Sequence, residues 1–496
     1  MAWFYSRIGG DDLFWAGFLS FSTGFVLVCL FWPVQESIGS GLFVKSVLSA
    51  GVGLGVSSEV FFLCLFLRNS VTHLALLDVP VFCALLIVLL LSNARRKAMP
   101  RRGPSDQPLS QAIVDSPVWW LAPLVFVLAF SASLYSFVTL SLRIPSGGWD
   151  AWTIWNSRAR FLFRAGDQWR DTFSPLLVWS HPDYPLLLPA SVVRLWSYAG
   201  RESQAAPEFL ALAFTFATVG LIVSSLRALR GRNQCFLAGI LLVCTPFFIE
   251  QGASQYADVP LGFFYLATIV LFVMQDRTQD GSDGLVVLAG IAAGFAAWTK
   301  NEGLLFLFSI ASARFAIMTR SRGWEASLRQ TIRFAMGAAP IVAMLILFKA
   351  RVAGPSDIFG QSWASIAGKL LQFDRYTLTS GWILGRTFLF GGWPFFFVPV
   401  LGLYFLLFGT RMDSTERPGV LAAILALCIT LTGYSLVYVI GPNDLQWWLG
   451  TSLDRLLLQL WPSALFLFFL IVRSPEEVWM RVRNKRTAQH LAIDNN

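Results

Sequence analysis

The chain has 496 residues, 55% of them hydrophobic and only 14% charged, with a net charge of +9. A soluble globular chain carries about 25% charged residues, and a transmembrane barrel shows short alternating segments, so the long continuous apolar runs here argue against both classes. The basic residues sit mainly in short loops between apolar runs, the positive-inside pattern of a membrane protein rather than a nucleic-acid surface.

A run of roughly 20 apolar residues crosses about 30 Å of hydrocarbon. In chain order such runs fall at 12–32, 42–67, 74–92, 118–141, 206–226, 235–250, 258–275, 285–299, 303–319, 331–349, 386–408, 419–440 and 456–473. They predict an all-α polytopic membrane protein with about thirteen transmembrane helices. The runs 235–250 and 285–299 are short and read as tilted or broken spans. The first run lacks a basic n-region and an A-x-A-like site, so no cleavable signal is expected. Cys29, Cys64, Cys83, Cys235, Cys244 and Cys428 all lie in apolar segments without ligand-like spacing, as small core residues do. No fixed-period repeat marks a solenoid or a duplicated transporter.

Loop charges set an expected orientation. Arg95, Arg96, Lys97, Arg101 and Arg102 follow the third run; Arg227, Arg230 and Arg232 the fifth; Arg320, Arg322 and Arg329 the ninth. Arg481, Arg483, Lys485 and Arg486 lie in the C-terminal tail. Placing them all in the cytoplasm is consistent with alternating spans. The organisation expected is then N-terminal transmembrane helices over 1–97, a flexible cytoplasmic linker over 98–116, a transmembrane module over 117–475 and a basic cytoplasmic tail over 476–496. The large loop 142–205 falls outside, as do Gln255–Asp258, Lys300–Glu302 and Gly441–Arg455, so four polar clusters converge on one face.

The loop opens with Gly147-Gly148-Trp149-Asp150-Ala151-Trp152. Asp150 suits a helix N-cap; it also suits a general base poised by the partly apolar tryptophan surround. Arg158 and Arg160 follow on an expected interfacial helix over 151–165, placed either to snorkel or to pair with a phosphate of a lipid-linked ligand. His181-Pro-Asp183-Tyr184-Pro is punctuated by prolines and cannot be a helix interior. One histidine and one aspartate do not make a metal site, and orientation of a sugar or phosphate suits them better. Gln255-Tyr-Ala-Asp258-Val-Pro opens the seventh run with N-cap chemistry at Asp258, and an ionisable group there is also a site candidate. Lys300 and Glu302 form an interfacial turn in which an outer lysine departs from the positive-inside pattern and suits an anion. Asp454 and Arg455 stand at the mouth of the last run, as a salt-bridged helix start or as a phosphate contact beside Trp447 and Trp448.

Together these clusters resemble the GT-C superfamily of membrane glycosyltransferases, in particular the branch with the aminoarabinose transferases and the protein O-mannosyltransferases. The matching elements are Trp149-Asp150, the helix Ala151–Arg164, Gly166-Asp167-Gln168-Trp169, Tyr184-Pro185-Leu186-Leu187, YADVPL at 256–261 and TKNEG at 299–303, with a weaker echo at 447–462. Two departures stand out: Asp150 is followed by Ala151 where many relatives carry Glu, and three helices precede the motif loop where these families typically place one. The resemblance implies a GT-C-like bundle whose extracytoplasmic loop carries interfacial helices. It implies sugar transfer from a polyprenyl-phosphate donor to a hydroxyl of a lipid, glycan or protein acceptor, with inversion and Asp150 as general base. Asp258 is the second catalytic candidate; Trp149, Arg158, Arg160, His181, Asp183, Tyr184, Gln255, Lys300, Glu302, Asp454 and Arg455 are the substrate-binding candidates. No cofactor is firmly implied, a divalent cation being left open. No nucleic-acid partner is expected, and the compact chain with short loops suggests a bacterial inner membrane. The rival class is a transporter or flippase of lipid-linked sugars, which calls for ionisable residues near the midplane rather than at one interface.

Overall fold

The computed structural model describes residues 10–33, 38–68, 75–97, 120–278, 283–356, 358, 360–394, 396–475, 477–479 and 481. The expected linker 98–116 and most of the basic tail lie outside the described residues. Three helices come first: α1 (Gly10–Phe31), α2 (Ile38–Arg68) and α3 (Ala75–Lys97). After α4 (Leu121–Arg143), a π-turn at Ala151–Trp155 runs directly into α5 (Asn156–Arg164). Two short 3-10 elements lead to α6 (Leu187–Ala199). Helices α7 (Ala205–Leu229), α8 (Arg232–Val243), α9 (Pro246–Ala253), α10 (Asp258–Arg277), α11 (Asp283–Thr299), α12 (Asn301–Arg322) and α13 (Trp324–Arg351) follow. The chain continues through α14 (Trp363–Leu370), α15 (Phe373–Leu389), α16 (Phe397–Phe408), α17 (Arg417–Ile440) and α18 (Leu445–Ile471).

Among the described residues, ten helices are long and apolar enough to cross a membrane, or eleven if α8 and α9 count as one bent span. The chain is an all-α polytopic membrane protein, with fewer full spans than the thirteen expected. The run 235–250 is broken by 62° between α8 and α9. Pro246 starts the second piece and has no N–H to continue the first. The Val243 carbonyl freed by the break accepts from Ser133 Oγ at 2.8 Å, which satisfies it inside an apolar bundle. The run 386–408 is also interrupted: Gly391 and Gly392 take φ of 96° and 71°, and only the 12-residue α16 follows. Helix α11 has 17 residues, slightly short of a span.

α10 is the hub, its whole apolar stretch buried by neighbours, whereas α3 and α4 bury only 6% of theirs and form the periphery. Inner helices approach closely through small residues, the usual device where lipid removes any hydrophobic drive between helices. A Cβ on Gly290 of α11 would stand 2.0 Å from the Phe334 carbonyl of α13, and one on Gly337 of α13 2.0 Å from the Val287 carbonyl. The two ends of α10 differ in chemistry. At the Arg277 end, Arg314 grips Asp276 at 2.6 Å and Arg230 grips Glu416 at 2.5 Å, with all four side chains buried. The Asp258 end carries the loops that hold the motifs.

Candidate active site

The loop after α4 turns at Gly147, whose φ of 76° falls in the left-handed region. A Cβ there would meet Ala151 at 2.5 Å and the Ser254 carbonyl at 2.8 Å. Gly148 N–H donates to that same carbonyl at 2.9 Å, so the turn is seated directly on the α9–α10 connection. This contact places Asp150, at the start of the π-turn, over the mouth of α10.

Asp150 and Asp258 share one cation. Arg455 of α18 donates from Nη2 to Asp150 Oδ2 at 2.6 Å and from Nε to Asp258 Oδ2 at 3.1 Å. Its guanidinium lies 4.9 Å from the Tyr256 ring centroid. Lys300 Nζ donates to Asp258 Oδ1 at 3.0 Å and pairs with Glu302 Oε1 at 2.9 Å. Gln459 Nε2 completes the coordination of Asp258 Oδ1 at 2.6 Å, and Tyr434 OH donates to Gln459 Oε1 at 2.5 Å. Three carboxylates therefore surround two cations. Glu302 Oε2 is buried and makes no hydrogen bond among the described residues.

The electrostatics favour the charged form of Lys300. Burial alone would lower the Lys300 ammonium, but the Asp258 and Glu302 charges outweigh it and raise it. Burial, with the Asp150 charge behind it, pushes the Tyr256 phenol up and keeps it a donor. Tyr184 is raised by burial first and then by the negative charges of Glu302, Asp183 and Asp150.

Other candidates take supporting positions. Arg158, expected either to snorkel or to pair with a phosphate, is 1% exposed and donates to the carbonyls of Tyr184, Ser180 and His181 at 2.9, 2.5 and 2.6 Å. Its charge is spent on fixing that loop, in which Tyr184 stacks between Trp155 and His181 at 5.6 and 4.8 Å. Burial lowers the Arg158 guanidinium to about 10, against a smaller raising effect of Asp183. Gln255, at φ of 60°, accepts from Asn156 Nδ2 at 2.7 Å and donates to the Pro145 carbonyl at 3.2 Å, bracing the loop rather than facing the cluster. Asp454 turns away from Arg455 to meet Arg386 at 3.0 Å, as consecutive helical residues must point about 100° apart. Trp149 and Trp152 are 66% and 54% exposed, and the Asp150 carboxylate is met by Arg455. Arg160 lines a cavity none of whose walls comes from the cluster. Among the described residues no group of three His, Cys, Asp or Glu side chains is arranged to hold a metal ion.

Residues 183–349 match the family model of dolichyl-phosphate-mannose-protein mannosyltransferases. The match supports a glycosyltransferase of the GT-C type, in keeping with the resemblance. No curated protein and no solved structure matches the chain. The mannosyltransferase-like segment is about a third of the chain. It holds Asp258, Lys300 and Glu302, while Asp150 and Arg455 reach the cluster from outside it.

Both boundaries of the mannosyltransferase-like segment meet in one polar triangle. Asn301 Nδ2 donates to Asp183 Oδ2 at 2.7 Å, Lys349 Nζ donates to Asn301 Oδ1 at 2.8 Å, and Lys349 also bonds the Asp183 carbonyl. The triangle ties the His181–Pro185 loop to the Lys300–Glu302 turn. Sequence reasoning passed over Asn301, Lys349, Tyr256, Tyr434 and Gln459. Of these, Gln459 carried a signal: it lies one helical turn after Arg455, on the same face.

Proposed function

We propose that the protein transfers a sugar from a polyprenyl-phosphate-linked donor to an acceptor hydroxyl at the extracytoplasmic face of a bacterial inner membrane. The observation that carries this reading is the shared cation: Arg455 joins Asp150 of the large loop to Asp258 of the hub helix. The matched family's name contains a dolichyl-phosphate sugar donor. A lipid-linked donor of that class is carried over here; mannose itself is not.

In the mechanism, Asp150 is held by Arg455 in the resting site and is not free to meet an acceptor. The incoming donor phosphate competes for Arg455 and Lys300, which releases the Asp150 carboxylate toward the acceptor. Asp150 then takes the acceptor hydroxyl proton as the new bond forms at the anomeric carbon. The bond from that carbon to the phosphate oxygen breaks, and polyprenyl phosphate leaves with the electron pair. Arg455 and Lys300 stabilise the charge that develops on it. A phosphate leaves without a protonating acid, so a single displacement with inversion needs only one base. Asp258 holds both cations in register. Glu302 Oε2, buried and without a partner among the described residues, suits a sugar hydroxyl donor.

The test is a transfer assay on membranes containing wild-type or Asp150→Asn protein. A panel of radiolabelled polyprenyl-phosphate sugars is supplied and label is followed into lipid, glycan and protein fractions. Label appearing only with wild type supports the class and the base. Equal label with both removes Asp150 from the chemistry. Vectorial uptake by liposomes without covalent product would instead favour a transporter.

A further inference from the structure

One cavity near the loop lies away from the carboxylate cluster. It has a volume of about 280 Å³ and lies between α5 and the start of α7, with Ser146, Asn156, Arg160, Arg164, Glu202 and Gln204 on its walls. Its charges do not balance. Arg164 is bound by Glu202 through two bonds of 2.5 and 2.7 Å, whereas Arg160 has no carboxylate within ion-pair distance among the described residues. The cavity therefore carries one guanidinium in excess, beside hydroxyl and amide groups.

Its position is equally specific. Pro145 and Ser146 follow the end of the membrane-crossing α4, and Pro207 opens the membrane-crossing α7. The residues flanking these walls in sequence expose apolar side chains: Leu142 46%, Ile144 47%, Phe161 49% and Phe209 41%. A cationic hollow at the ends of two spans, edged by outward apolar residues, matches a head group whose chains lie against the helices.

We propose that the Arg160 cavity binds the phosphate head group of a lipid, at a site separate from the one at Arg455. A guanidinium without an acidic partner suits a phosphate oxygen pair, and the apolar edge suits its acyl or prenyl chains. The cavity is also coupled to the catalytic end. Asn156 forms part of its wall and donates to Gln255, which braces the connection to Tyr256 and Asp258. The proposal concerns binding and does not depend on the transfer reading.

The full-length protein is reconstituted in nanodiscs of phosphatidylcholine doped with phosphatidylglycerol, with polyprenyl phosphate or with diacylglycerol, which lacks phosphate. Lipid retained after detergent extraction is counted by native mass spectrometry. Wild type is expected to retain a phosphate-bearing lipid in preference to diacylglycerol. Arg160→Gln is expected to lower that retention about tenfold, and Arg160→Lys to restore part of it at an unchanged melting temperature. Displacement of phosphatidylglycerol by polyprenyl phosphate assigns the site to a lipid-linked substrate; its persistence assigns the site to bilayer lipid. Equal retention of diacylglycerol, or undiminished retention in Arg160→Gln, overturns the proposal. Either result leaves the transfer assay free to succeed or fail on its own.

Discussion

Asp150 and Arg455 lie 305 residues apart in the chain and 2.6 Å apart in the fold. The same guanidinium reaches Asp258 through Nε at 3.1 Å. A lysine at this position keeps the charge but is a point donor without the planar fork. Arg455→Lys is therefore expected to lower transfer by about a hundredfold while the protein still accumulates in the membrane. Single-turnover transfer with saturating donor measures this. A wild-type rate in Arg455→Lys removes the bridge from the mechanism.

Lys300 gives a prediction in pH. Its ammonium is raised above the ordinary lysine value of 10.5 because Asp258 and Glu302 outweigh burial. A raised base contributes its ion pairing fully below the unfolded value and loses it only as pH climbs through the higher folded one. The rate profile between about pH 7 and 9 should thus show no falling limb from Lys300. The comparison is with Lys300→Arg, in which this group cannot titrate. A falling limb in the wild type that vanishes in Lys300→Arg contradicts the assignment.

Arg158 is expected to act on position and stability rather than on the phosphate. Replacing it by Leu removes three bonds to the carbonyls of Ser180, His181 and Tyr184. The loss is on the order of 3 kcal/mol, visible as a lower melting temperature in detergent. The surviving folded fraction should bind donor with near wild-type affinity but turn over slowly, because Tyr184 and Asp183 lose their seating. A large rise in donor KM with intact stability would instead put Arg158 on the phosphate.

The sequence made the membrane architecture readable because hydrocarbon thickness imposes a length and a polarity on each span. It did not reveal the break after Leu389. The apolar average over 386–408 is blind to the left-handed φ of Gly391 and Gly392. At the site, Asp150, Asp258, Lys300 and Arg455 each stood out as polar residues beside long apolar runs, and alternation of spans put them at one end. Their pairing was not readable. Asp454 and Arg455 are neighbours in sequence, yet one turns to Arg386 and the other to Asp150, and only the packing of α15 and α18 decides which. The partners of Arg158 were unreadable for a related reason: a guanidinium looks the same in sequence whether it meets phosphate oxygens or backbone carbonyls.

The three leading helices join the rest through a buried charge. Arg194 of α6 donates to Asp78 of α3 at 2.7 Å and to Ser20 of α1 at 2.8 Å, and Tyr198 adds a bond to Asp78 at 2.9 Å. Arg194 and Asp78 side chains are only 1% and 4% exposed. α2 also holds Trp298, which donates from Nε1 to Ser58 Oγ at 3.0 Å, two residues before Lys300. These helices thus brace both the segment that follows Tyr184 and the segment that ends at Lys300. Asp78→Ala strands a buried guanidinium and is expected to cost about 3–5 kcal/mol. The double variant Asp78→Leu with Arg194→Met removes both charges together and should recover most of that loss, since apolar replacement of a buried pair is often neutral. If the helices only fill space, the recovered double variant transfers at the wild-type rate per folded molecule. If the ion pair sets the register of α6 against the cluster, stability returns while the rate stays depressed. Melting temperature and single-turnover rate, measured on the same preparations, separate the two; failure of Asp78→Ala to destabilise the protein at all would show that the pair is not formed.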